Sequence, residues 1–156
     1  MDERAAYVCV QADADRLPVL SQLAQLRTAW AVERGGAPAE GFEERLGAWW
    51  TAQHGHRHAW LVHDDGGRPV AMGNVAVFER MPRPGMPDAR WAYVGNVWVD
   101  PAHRRRGVAT LLMRAVVAWC RAEQMERIVL NPSEESLPLY RSLGFRAADD
   151  LMRLDL

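Results

Sequence analysis

The spacing of apolar positions changes along the chain, and each change marks a predicted element. Tyr7-Val8-Cys9-Val10-Gln11 alternates weakly and predicts a short first strand. Val19, Leu20, Leu23, Leu26 and Trp30 then recur at helical spacing, with Asp13 or Asp15 as the cap and Pro18 tolerated in the first turn. Arg34-Gly35-Gly36-Ala37-Pro38 breaks this helix. Phe42, Leu46, Trp49 and Trp50 mark a second amphipathic helix that ends near Gly55. Strand texture follows: Ala59 to Val62, a hairpin turn at Asp64-Asp65-Gly66-Gly67, and Pro69 to Phe78. The proline-rich run from Arg80 to Asp88 is a loop, and Trp91 to Val99 is a long strand. Gly95 inside that strand signals a bulge or a close backbone approach.

The remaining pattern is a helix from about Gly107 to Glu123, a strand from Arg127 to Asn131, a short helix from Ser136 to Leu143 closed by Gly144, and a last strand from Leu151 to Leu154. No repeat, linker or low-complexity tract interrupts the series. The pattern therefore predicts one α+β domain over residues 1–156, with a mixed, mostly antiparallel sheet.

Composition narrows the chemistry. The 156 residues include 19 arginines and no lysine, against 20 acidic residues, for a formal charge of -1. No overall basic field recruits nucleic acid or an anionic membrane, so neither is expected as a partner. Without lysine there is no Schiff base, no lysine general base and no Walker-type phosphate loop. Cys9 and Cys120 lie far apart among apolar neighbours and read as reduced core thiols. No signal peptide or membrane-spanning run is evident, which makes the cytoplasm the expected location. His54, His56 and His58 alternate, but Gly55 and the lack of accompanying Cys or carboxylates make this a loop run, and no metal is expected.

The densest chemical signal runs from Val97 to Thr110. A strand ends at Asp100-Pro101, and a loop containing Arg104, Arg105, Arg106 and Gly107 opens a helix at Val108, Ala109 and Thr110. The first helical turn carries unpaired N–H groups and the positive end of the dipole. Gly107 permits close backbone approach, and the successive N–H groups of this loop can form an anion nest. On physical grounds either a phosphorylated ligand binds here or the arginines are a solvated cluster at a helix start.

Arg104-x-x-Gly107-x-Ala109, following Val97-Trp98-Val99-Asp100-Pro101, resembles the acetyl-CoA-binding motif of the GNAT superfamily of N-acetyltransferases. Leu139-Tyr140-Arg141-Ser142-Leu143-Gly144-Phe145 is similar to that family's Leu-Tyr-x-x-x-Gly-Phe signature, and the order of elements agrees over almost the whole chain. The resemblance implies a GNAT-like fold with a central sheet of about six or seven strands flanked by about four helices. It implies acetyl-CoA as co-substrate and a primary amine as acceptor. Val97, Trp98 and Val99 would meet the pantetheine arm through backbone hydrogen bonds. Arg104, Arg105, Arg106, Gly107, Val108, Ala109 and Thr110 would surround the pyrophosphate. Ser133 stands where many members carry a cofactor-contacting Asn, and Tyr140 matches the general acid for the departing thiolate. A bulge near Gly95 would splay the long strand from Arg127–Asn131.

The base is less well defined. The position of a strand glutamate base in some members is occupied by Tyr93, so Glu79, at the end of the preceding strand, is the substitute expected at the acceptor cleft. A water relay would need no dedicated base, and a catalytically weak acyl-CoA sensor of the same fold is the alternative reading. Trp49 and Trp50 are adjacent on one helix and cannot both point the same way. One of them is therefore expected at the acceptor pocket or a dimer contact, with the 80–88 loop as a further wall. A homodimer is the commonest assembly for such a domain.

Overall fold

Among the described residues five strands form one sheet whose spatial order, β1-β2-β3-β4-β5, is also their order in the chain. The computed structural model describes residues 6–12 and 17–156, so the expected caps Asp13 and Asp15 lie outside the described residues. β1 (Val8–Ala12), β2 (Arg57–His63), β3 (Pro69–Glu79) and β4 (Arg90–Val99) pair antiparallel in succession. β5 (Ile128–Leu130) lies parallel to β4. The helices are α1 (Leu17–Glu33), α2 (Phe42–Ala52), α3 (Val108–Ala122) and α4 (Leu137–Ser142). Among the described residues no helix is long and apolar enough to cross a membrane.

The expected six or seven strands are therefore corrected to five. The missing one is the C-terminal strand: Leu151 to Leu154 has no regular structure, and Met152 and Leu154 are exposed. Its apolar residues suit a strand, but a strand is stable only against a partner edge. This segment finds none among the described residues.

The sheet divides two apolar layers. Trp60 and Val62 of β2, with Val70 and Val75 of β3, face α3 through Val108, Leu112, Met113, Val116 and Cys120. Ala59 and Leu61, the alternate β2 positions, face α1 and α2 through Leu23, Leu26 and Trp50. Period-two alternation explains this division. α2 approaches α1 closely at Gly47, where a Cβ would stand 2.9 Å from Leu20 Cδ2.

β4 breaks the alternation at one point. Ala92 and Val94 pack in the α3 layer, so an unbroken strand would direct Trp98 there as well. Instead Trp98 packs with α1 and α2, while Val97 and Val99 pack on the α3 side. An odd residue has been inserted between Val94 and Trp98, reversing the facing of everything beyond it.

Candidate active site

The inserted residue is visible in the register. Met72 lies opposite Trp98, but Asn74 lies opposite Gly95, so β4 carries one residue more than β3 across this step. Asn96 takes the left-handed conformation at φ 55°. Asparagine tolerates that region better than most side chains. Asn74 fastens the bulge: its Nδ2 donates to Gly95 O at 3.1 Å and to Asn96 Oδ1 at 2.8 Å. Arg57 Nη1 in turn donates to Asn74 Oδ1 at 3.1 Å. The expected bulge near Gly95 thus forms one residue further on.

Its consequence is a gap between two parallel strands. β5 pairs with β4 only at Ala92, Tyr93 and Val94. Beyond Val94 the two separate, while β4 continues to pair with β3 on its other edge as far as Val99. Among the described residues no strand pairs with the β5-facing edge of β4 beyond Gly95, where Arg104 Nε donates to Val99 O at 2.9 Å.

The mouth of the gap is the start of α3. Asp100 caps the short turn at Pro101–His103 by accepting from Ala102 N at 2.9 Å. Arg105 at φ 61° and Gly107 at φ 81° then reverse the backbone. Among the described residues, no backbone N–H from Arg105 to Thr110 has a protein acceptor; the first bond into the helix is Leu111 N to Gly107 O at 2.9 Å. A row of unpaired donors at the N-terminus of a 15-residue helix favours an anion. Tyr7 steadies this loop through a 3.0 Å hydrogen bond between its hydroxyl and His103 Nδ1.

The three arginines have different placements. Arg104 pairs with Glu33 at 2.7 Å, and Glu33 also accepts from Trp98 Nε1 at 2.6 Å. The Trp98 hydrogen bond, then that from Arg104, holds the Glu33 carboxyl below the usual carboxylate range. The Arg104 guanidinium thus ties the loop to the end of α1. Arg105 lines the cavity, whereas Arg106 is exposed and does not.

On the far wall Ser133 caps the turn that leads into α4, accepting from Ser136 N at 3.3 Å. Tyr140 is buried, with its ring edge-on to Phe145 at 5.7 Å. Burial raises its hydroxyl above the ordinary phenol range. Among the described residues that hydroxyl has no hydrogen-bond partner, yet no buried side-chain oxygen there is unsatisfied. It therefore opens onto the cavity.

The whole is one cavity of about 930 Å³. It gathers Val97, Trp98, Val99, Arg104, Arg105, Gly107, Val108, Ala109, Thr110, Ser133 and Tyr140. The Trp98 indole packs with α1 and α2, and its Nε1 reaches Glu33, which also lines the cavity. Glu79 is not brought in. It pairs with Arg90 at the far end of β3, five residues and so about 17 Å along the strand from Asn74. The 80–88 loop likewise contributes no wall to this cavity. Sequence reasoning passed over Asn131 and Glu135, which line it, and Asn96, for which the Gly-Asn pair inside a strand was the available signal. Among the described residues no three His, Cys, Asp or Glu side chains are grouped as metal ligands.

A smaller cavity of about 200 Å³ shares Asn96 with the large one. Leu23 and Arg27 of α1, Phe42, Leu46, Trp49 and Trp50 of α2, and Met72, Gly73 and Asn74 of β3 complete it. Both members of the tryptophan pair reach it, with their rings inclined at 64°.

The site thus combines a parallel strand pair parted by a bulge with a helix start that presents free N–H groups at its mouth. The chain belongs to the acetyltransferase (GNAT) family, whose profile matches residues 21–145. It is 33% identical over 96 residues to a glucosamine 6-phosphate N-acetyltransferase of Trypanosoma brucei brucei, a match covering 62% of this chain and 63% of that protein. Its fold is similar to a predicted acetyltransferase from Clostridium acetobutylicum crystallised with acetyl-CoA, at a TM-score of 0.74 and 20% identity over 96% of both chains. It is also similar to a T. brucei acetyltransferase, with a TM-score of 0.73 and 25% identity over 97% of this chain and all (100%) of that one.

Proposed function

We propose that the protein is an acetyl-CoA-dependent N-acetyltransferase that moves the acetyl group directly to a primary amine. The observation that carries this reading is the continuity of the large cavity. One space joins a free strand edge, a row of N–H donors without acceptors and the open Tyr140 hydroxyl. Its volume lies within the range usual for cofactor sites. The residues fit acetyl-CoA: Arg105 and the backbone of Gly107, Val108, Ala109 and Thr110 would hold the pyrophosphate, and the β4 edge at Val97 would hold the pantetheine amides. When bound, acetyl-CoA supplies an activated acyl group on a good leaving thiol.

The remaining work falls to the chain. The β4 backbone orients the ligand by strand addition, and an N–H at or beside Val97 polarises the acetyl oxygen. Holding the amine in line supplies much of the acceleration. The acceptor nitrogen forms a C–N bond as the C–S bond breaks, and the Tyr140 hydroxyl, kept protonated by burial, donates to the sulfur. An ammonium acceptor gives up one proton to water before attack. Its second N–H proton replaces the one that Tyr140 has donated, so one proton is released overall.

Thiol release from acetyl-CoA across a panel of primary amines tests this reading. Release above the hydrolytic background with at least one amine is expected. Tight acetyl-CoA binding by calorimetry without release for any amine would instead identify a non-catalytic binder.

A further inference from the structure

The small cavity has a composition unlike the large one. Phe42, Leu46, Trp49 and Trp50 make its walls apolar and aromatic, and at about 200 Å³ it is somewhat larger than the roughly 150 Å³ that houses a benzene ring. Its charged lining group is Arg27, half-buried, with the guanidinium 5.1 Å from the Trp30 ring centroid. Arg27 has no carboxylate partner and no hydrogen bond among the described residues. Burial depresses its pKa, with no acidic group opposing that shift. A half-buried guanidinium on the wall of an apolar recess, with no counter-ion among the described residues, is one to which an anionic ligand can supply the missing charge.

Asn96 lines both this recess and the large cavity, which places the recess beside the β4 bulge and near the strand edge on which the acyl donor would lie. We propose that the recess receives the acceptor, and that the acceptor is a small primary amine bearing one aromatic ring or branched aliphatic group and a carboxylate that pairs with Arg27. The inference rests on the acetyltransferase reading above. It accounts for two further features. No acid lines the recess among the described residues, so a polyamine finds no counter-ion there. Arg57, stacked 5.2 Å over Trp49 and bonded to Asn74, adds a second positive charge nearby. Neighbouring cations disfavour the ammonium form of a bound amine, and so favour the free base that attacks without a dedicated carboxylate base.

Matched amines make the test. Phenylalanine and leucine are compared with phenethylamine and isopentylamine, which lack only the carboxylate, alongside spermidine and glucosamine 6-phosphate. The wild-type kcat/KM is expected to be about ten-fold or more higher with the carboxylate than without it. Arg27→Gln should collapse that ratio to near one while leaving acetyl-CoA affinity unchanged. Leu46→Trp, which fills the recess, should depress activity toward the ring-bearing amines and equally spare acetyl-CoA binding. Equal rates within the matched pairs, preference for spermidine or glucosamine 6-phosphate, or indifference to both variants would overturn the proposal. If no amine turns over, calorimetry with N-acetylphenylalanine decides: binding lost in Arg27→Gln supports the recess, and no binding by the wild type rejects it. Failure to bind acetyl-CoA would sink the acetyltransferase reading itself, an outcome distinct from each of these.

Discussion

Gly107 shows how one residue serves both fold and site. At φ 81° it caps α3 in the left-handed region, and a Cβ built on it meets nothing within 4 Å. The cost of Gly107→Ala is therefore conformational, about 1–2 kcal/mol. The variant is expected to melt a few degrees lower and to lose acetyl-CoA affinity, both readable from thermal denaturation with and without ligand. Tyr140 carries a sharper expectation. Tyr140→Phe keeps the ring against Phe145 and removes only the cavity-facing hydroxyl. Its kcat should fall by about 100-fold with acetyl-CoA affinity retained, and an unchanged kcat would remove this residue from the mechanism. The motif around Tyr140 made it legible in the sequence. Glu79 lies away from both cavities, a distance along the strand that only the β3–β4 register makes visible.

The elements assemble the site through clamps that sequence reading does not separate from ligand contacts. Arg104, Arg105 and Arg106 are chemically identical, yet only the fold assigns Arg104 to Glu33 and Val99 and leaves Arg105 at the cavity. Calorimetry at low and high salt distinguishes them. Arg105→Ala should weaken acetyl-CoA binding most at low salt and flatten its salt dependence, because a solvated charge is screened. Arg104→Ala should lower the melting temperature and weaken binding at all salt concentrations, because it frees the loop from α1. The β4 bulge is the other such device. Gly95 signalled an irregularity, while its position at Asn96 and its reversal of Trp98 follow from pairing with β3.

At the scale of the molecule, burial sets the alkaline limit. Cys9 and Cys120 are both pushed up from 9.0 to about 11 by desolvation, and Tyr140 is raised by the same cause. Between those values the unfolded chain has lost its thiol protons while the folded chain retains them. Stability is therefore fully present below about pH 9 and declines as pH rises through about 11. Chemical denaturation at stepped pH should show the midpoint falling across that window. A Cys120→Ala variant should show a shallower decline alongside its lower starting stability.

Periodicity and punctuation by themselves determined the helices, the hairpins and the loop-to-helix motif, because these depend on local spacing, on backbone freedom at glycine and on the fixed φ of proline. Composition excluded every lysine-based chemistry. The tertiary structure alone decided what depends on pairing across the chain. Among the described residues it left Leu151 to Leu154 without a partner edge, located the bulge that parts β4 from β5, drew Arg104 inward, and formed an apolar recess lined by an arginine with no counter-ion. Contacts between residues far apart in sequence are set by register and packing, which no local spacing records.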